Sequence, residues 1–237
     1  MPVGTIFLIS LFSGLALPLG GWLAAHEKVL PRWLINETRH FVLAMAGGVL
    51  LGAITMILVP EGMHAFDHPT WSVIPIIIGG VFFFLFERNL ARRAHEAPQM
   101  MAMLLDFVPE SLALGGLAAI SPKTVPILAL MIGVQNLPEG FNAYREVLCR
   151  TQCKSSHALW LLSLAALCGP ISAVLGFYFL ADQVTWLGAV MLFASGGIMY
   201  LVFQDIAPQA KLNRHWTPAL GAVFGFALAV FSKAILS

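Results

Sequence analysis

Four oxygen-bearing side chains, Asp106, Glu110, Gln135 and Glu139, are the residues whose types and spacing point to chemistry. They interrupt two apolar segments, LLDFVPESLALGG over 104–116 and LMIGVQNLPEGFNAYRE over 130–146. Asp106 and Glu110 stand four apart, as do Gln135 and Glu139, and a proline, Pro109 or Pro138, immediately precedes each glutamate. Residues four apart share one face of a helix, so two such helices facing each other would bring all four to one place. Oxygen ligands of this kind suit a hard or borderline divalent metal ion. The alternative is that Glu110 and Glu139 are protonated and hydrogen-bonded between helices as polar glue.

What must position these side chains is a bundle of apolar helices. The 237-residue chain is 59% hydrophobic and 11% charged, against roughly 25% charged in soluble domains. Crossing a bilayer core takes ~20 mostly apolar residues, and eight stretches qualify: 4–25, 41–63, 73–86, 99–120, 124–144, 157–180, 185–208 and 217–236. The third is the shortest, with room to extend towards Asn89. The expected fold is therefore all-α, a single transmembrane domain over 1–237 with eight spans in a compact bundle. No segment alternates with period two, against a transmembrane barrel, and short connections favour antiparallel neighbours. The first stretch lacks a basic flank and is long enough to span, so it is expected to remain as a helix. With a net charge of +1 and no basic block, nucleic acid is not expected as a partner.

Lysine and arginine orient the bundle. Lys28, Arg32 and Arg39 follow span one; Arg88, Arg92 and Arg93 follow span three; Arg145, Arg150 and Lys154 follow span five; Lys211 and Arg214 follow span seven. Those loops hold 11 of the 13 basic residues, leaving Lys123 and Lys233 on the other side. The positive-inside rule then puts both termini outside a cell (inner) membrane crossed many times. The four central residues fall near the midplane. Glu61, His64 and His68 lie at the outer end of span two and beyond it, and Gln204 and Asp205 towards the inner end of span seven. With Asn136, these six mark the expected pathway.

Carboxylates at midplane depth cost several kcal/mol unless paired, protonated, hydrated or bound to a cation, and no lysine or arginine lies at matching depth. A divalent cation is the economical partner. Pro109 and Pro138 also withhold the donors for the Leu105 and Val134 carbonyls, which a polar cavity or an ion tolerates. Gly115, Gly116, Gly133 and Gly140 suit close helix approach, around the site or as ordinary packing. A Pro-Glu element recurs as VPEG at 59–62, and QDIAPQ at 204–209 has a related design.

At these residues the sequence resembles the ZIP (Zrt-/Irt-like protein) family of divalent-metal transporters, in its bacterial form and over essentially the whole chain. Asp106-Phe107-Val108-Pro109-Glu110-Ser111 is similar to the family's HNxPEG motif in span four, and Gln135-Asn136-Leu137-Pro138-Glu139-Gly140 to its QDxPEG motif in span five. ASGGIMYLVFQDIAPQ in span seven looks like the family's AAGAMxYVVxxExxPE. The resemblance implies a carrier that is not an enzyme, moving a divalent ion (Zn²⁺, Fe²⁺, Mn²⁺ or Cd²⁺) into the cytoplasm, with Asp106, Glu110, Gln135 and Glu139 as ligands. Asp106 replaces the family's usual histidine, so oxygen ligands would favour harder ions. The family's second site takes ligands where this chain has Phe107, Asn136 and Gly169, which implies one site here, with Phe107 filling part of the vacated space. The family's histidine-rich loop is reduced to His95. Three carboxylates on one divalent ion leave an excess negative charge, so Glu110 is expected to take up a proton when the ion leaves.

Smaller signals are weighed against plain packing. Glu61, His64, Asp67 and His68 could collect cations at the outer mouth or be ordinary loop residues. Cys149 and Cys153, on the cytoplasmic side, are expected to stay reduced. Cys168, Met45, Met56, Met100, Met101 and Met103 read as core. Two rival readings remain: an intramembrane metalloenzyme, which the absence of midplane histidine and of an HExxH pattern disfavours, and a metal-binding protein or sensor without efficient transport. A homodimer is compatible with the sequence.

Overall fold

The computed structural model describes residues 1–26, 32–92, 98–151, 154–212 and 216–236. Lys28, Arg93, His95, Cys153 and Arg214 lie outside the described residues. Every element among the described residues is helical. The first span is α1 (Val3–Gly14) followed by α2 (Ala16–Ala25). Pro18 has no N–H to give the Gly14 carbonyl, and the helix breaks between them at Leu15. The second span is α3 (Arg32–Ala53), a π-turn over Ile54–Leu58 and α4 (Val59–His64). After α5 (Val73–Arg92) and α6 (Pro98–Ile120) come α7 (Thr124–Thr151) and α8 (Ser155–Leu180). The seventh span is α9 (Val184–Leu201), a second π-turn over Val202–Ile206 and α10 (Ala207–Ala210); α11 (Thr217–Leu236) closes the chain.

Among the described residues, 7 helical stretches are long and apolar enough to cross a membrane, as a multi-pass membrane protein requires. The helix outside that set is α7. Its 28 residues are ample in length, but its second half carries Gln135, Asn136, Glu139, Asn142, Arg145 and Glu146, which dilute its hydropathy. It also runs seven residues past the expected end at Tyr144. The third span is longer than 73–86 as well, because α5 continues through Glu87 to Arg92. Both extensions are polar ends of helices that hydropathy truncates.

Hydrogen bonds define two ends of the bundle. At the end holding the termini, the Met1 ammonium donates to the Ala118 carbonyl (3.2 Å), the Ser121 hydroxyl to Glu61 (3.3 Å), and Lys233 to the Met56 carbonyl. At the opposite end Arg39 donates to Asn142 (3.2 Å) and the Tyr144 hydroxyl to Ser155 (2.7 Å).

The helices that carry the central residues are clamped by paired glycines. Gly115 on α6 lies against the Ala173 carbonyl of α8, and Gly176 answers from α8 against Leu112. Gly140 on α7 lies against the Leu17 carbonyl of α2, and Gly20 answers against Leu137. A methyl group at any of the four would overlap a backbone carbonyl, so only glycine permits backbone contact of this kind. Gly133 is different: a Cβ there would find its nearest neighbour at 3.6 Å, an ordinary contact. It is not needed for close approach, which leaves the ordinary-packing alternative for this position.

Candidate functional site

Helices α6 and α7 run through Pro109 and Pro138 without interruption and place the four central residues between them. Asp106, Glu110 and Gln135 are almost wholly buried, at 3%, 0% and 1% exposure, while Glu139 is half-buried. The Gln135 amide donates to Glu110 Oε2 at 2.6 Å. That bond joins the middle of the two helices directly.

The four lie close enough for their carboxylates to act on one another, but they differ in what they touch. Glu110 and Gln135 form the inner pair. Asp106 and Glu139 instead line a cavity of about 50 Å³ with Gln99, Asn142, Asp205 and Gln209. One water needs roughly 10–15 Å³ by this measure, so the space is large enough for a few water molecules. The cavity begins at the polar helix ends, where the Gln99 amide donates to Gln209 Oε1 at 2.8 Å and the Gln99 backbone N–H to Glu146 Oε2 at 2.7 Å. It ends at the two carboxylates. Among the described residues, no group of three or more His, Cys, Asp or Glu side chains is arranged to hold one metal ion.

The unpartnered atoms are more telling. Among the described residues, eight buried side-chain polar atoms lack a hydrogen-bond partner, and all eight are oxygens. Six belong to α6 and α7: Asp106 Oδ1, Glu110 Oε1, Ser111 Oγ, Gln135 Oε1, Asn136 Oδ1 and Glu139 Oε2. Each of the four residues singled out by sequence therefore keeps one oxygen without a donor. A buried unsatisfied polar group costs about 1–3 kcal/mol, more if charged. Concentrating them in one zone is a standing demand for a proton, water or cation there.

Of the six expected pathway residues, Asp205 lines the 50 Å³ cavity. Gln204, next to it on the second π-turn, is exposed. Glu61 lines a separate cavity of about 470 Å³ at the terminal end, with Ser121, Lys123, Thr124 and Lys233 around it and Ile57 and Ile127 among its walls. His64 and His68 are exposed beyond it. Asn136 lines neither cavity; its amide donates to the Ser13 carbonyl at 3.1 Å and ties α7 to α1. Along α6 and α7 between Glu110 or Gln135 and the terminal cavity, Leu114, Leu117, Leu128 and Met131 are buried in the common core.

Sequence reasoning passed over Gln99 and Gln209, which stand near helix ends and carry no depth signal, and Asn142, inside α7, and read Lys233 only as a topology charge. Phe107 is fully buried, and its ring packs against Gly169 and Gly14, where a Cβ would collide with it. No protein-family model matches the chain, and no curated protein matches it.

Proposed function

We propose that this chain is a carrier for divalent transition-metal ions of the Zn²⁺, Fe²⁺ and Mn²⁺ class, of ZIP type, with eight spans and both termini outside the cytoplasm. The observation that carries the reading is the set of donor-less oxygens on Asp106, Glu110, Gln135 and Glu139 in the middle of two apolar helices. A bound cation, with the waters it carries, is the partner that would answer them. Asp106 and Glu139 meet the ion from the 50 Å³ cavity, and Glu110 with Gln135 forms the next oxygen pair towards the terminal side.

The cavity is lined by Asn142, to which Arg39 donates, and the positive-inside rule makes that basic end the cytoplasmic one. On this reading, substrate arriving from outside leaves through the vestibule of Asp205, Gln99 and Gln209. The contact of Phe107 with Gly169 supports the single-site reading, because the ring occupies space between two positions that the family resemblance pairs as ligands. Elemental analysis of the purified protein, with radiotracer uptake into proteoliposomes, tests the proposal. Wild-type protein should carry bound metal and take up tracer, and Glu110→Ala and Glu139→Ala should abolish uptake. Metal-free wild type with uptake indifferent to both substitutions refutes it.

A further inference from the structure

A cavity of about 620 Å³ lies on the flank of the bundle between α3, the second π-turn with α10, and the start of α11. Small residues leave the room: Ala44 and Gly47 on α3, Ala207 and Ala210 on α10, Ala219 and Ala222 on α11. Among the described residues, Lys211 is the one charged group on its wall, and the rest of the lining is apolar but for the indole edge of Trp216. Phe203, Ala207 and Ala219 are exposed along it, on stretches apolar enough to cross a membrane. The groove therefore faces hydrocarbon rather than water. Lys211 and Trp216 stand at one end, just past α10 and just ahead of α11. Lysine and tryptophan are side chains that settle at headgroup level. From there the groove runs inward, Ala44 to Leu51 covering about 10 Å along α3.

Its volume falls in the range of about 300–1,000 Å³ typical of ligand pockets, which are likewise mostly apolar with few polar groups. An apolar wall suits a hydrocarbon chain, and an exposed ammonium at the interfacial end suits a phosphate. A second copy in the same orientation would bring its own basic end towards Lys211, whereas an anionic phospholipid brings the opposite charge at the right depth. Ile206 ties the groove to the candidate site, because it lines both this cavity and the 50 Å³ one. Gly47 faces it so closely that a Cβ there would stand 3.0 Å from the Ile206 side chain. We infer that the groove seats an acyl chain of an anionic phospholipid whose phosphate pairs with Lys211, and that the chain braces Ile206 as a wall of the Asp205 vestibule. The seat stands on the groove alone; the effect of the brace rests on the transport reading.

Native mass spectrometry of the purified, delipidated protein decides the seat. Wild type should retain one dioleoylphosphatidylglycerol per chain and bind it about 5- to 10-fold more tightly than the phosphatidylcholine of the same chains. Lys211→Gln should erase that preference while still binding both lipids. Ala219→Phe, which fills the groove from an exposed position, should lose the lipid. Ala207→Phe, from the facing wall, should do the same and stands in should the first variant fail to fold. Phosphatidylglycerol retained equally by wild type and the filled variants, or bound by wild type no better than phosphatidylcholine, overturns the seat. So does a lipid-free wild-type dimer that Ala219→Phe converts to monomer, because the groove then belongs to a second copy. In proteoliposomes, Mn²⁺ uptake by wild type should be at least about 5-fold faster with phosphatidylglycerol than with phosphatidylcholine alone, and Ala219→Phe should lose that dependence. Equal wild-type rates overturn the brace. No uptake in either lipid sinks the transport reading and the brace with it, while the lipid count still decides the seat.

Discussion

Spans two and seven carry the same local device at opposite ends of the bundle. In each, a π-turn begins six residues ahead of a proline: Ile54–Leu58 before Pro60, and Val202–Ile206 before Pro208. Pro60 and Pro208 leave the Met56 and Gln204 carbonyls without their helical donors. The residue after each proline, Glu61 or Gln209, is bonded to one end of α6, through Ser121 or Gln99. The surroundings then diverge. At the terminal end an ammonium takes the free carbonyl and apolar side chains lie beneath. At the other end Asp205 looks into a cavity that reaches Asp106 and Glu139. π-turns often mark functional positions, and the two ends differ in what neighbouring helices supply to the same device.

The sharpest way to break this contrast is to remove acids at each end. Asp106→Ala or Glu139→Ala should reduce metal uptake at least 100-fold in proteoliposomes, whereas Glu61→Ala should cost less than about 10-fold, since losing a midplane charge interaction is worth several kcal/mol and every 1.4 kcal/mol is tenfold. Equal losses at both ends would erase the distinction. Next in size is Phe107→Ala, which empties a packed site against Gly169. Thermal or denaturant unfolding in detergent should show about 3–5 kcal/mol of destabilisation and no gain in uptake.

Smaller effects test the clamps. Gly140→Ala drives a methyl into the Leu17 carbonyl beside Glu139 and should cost about 1–3 kcal/mol. Gly133→Ala, with its nearest neighbour at 3.6 Å, should change the unfolding midpoint little, and a matching loss there would mean the α7 packing is misdescribed. Smallest are the links at the ends of α6. Ser121→Ala and Gln99→Ala should each cost about 0.5–1.5 kcal/mol, with Gln99→Ala slowing release and Ser121→Ala altering the KM for external metal.

Much of this was legible in the sequence because it depends on local periodicity and depth. The spans over 99–120 and 217–236 match α6 and α11 closely, and the i,i+4 spacing placed Asp106 with Glu110 and Gln135 with Glu139 between the right helices. What escaped depends on partners distant in the chain. Nothing near Lys233 marks the Met56 carbonyl as its acceptor, 177 residues away. Nothing near Gln99 announces Gln209. Pro60 and Pro208 advertise a disturbed helix, but an over-wound and an under-wound turn look alike in sequence. The division of the four central residues into a bonded pair and a cavity-lining pair is set by rotamers and helix rotation, which spacing alone leaves open. Asn136 shows the same limit: its depth was read, its acceptor on α1 was not.

The placement of α6 has a mechanical consequence. Its span of 22 residues is a rod of ~33 Å, anchored by Ser121 to the segment after Pro60 and by Gln99 to the segment after Pro208, with Asp106 and Glu110 near its middle. A rod pinned at both ends pivots rather than stretches. On the transport reading proposed above, tilting α6 to slacken the Ser121 link would load the Gln99 link, with Asp106 and Glu110 at the fulcrum.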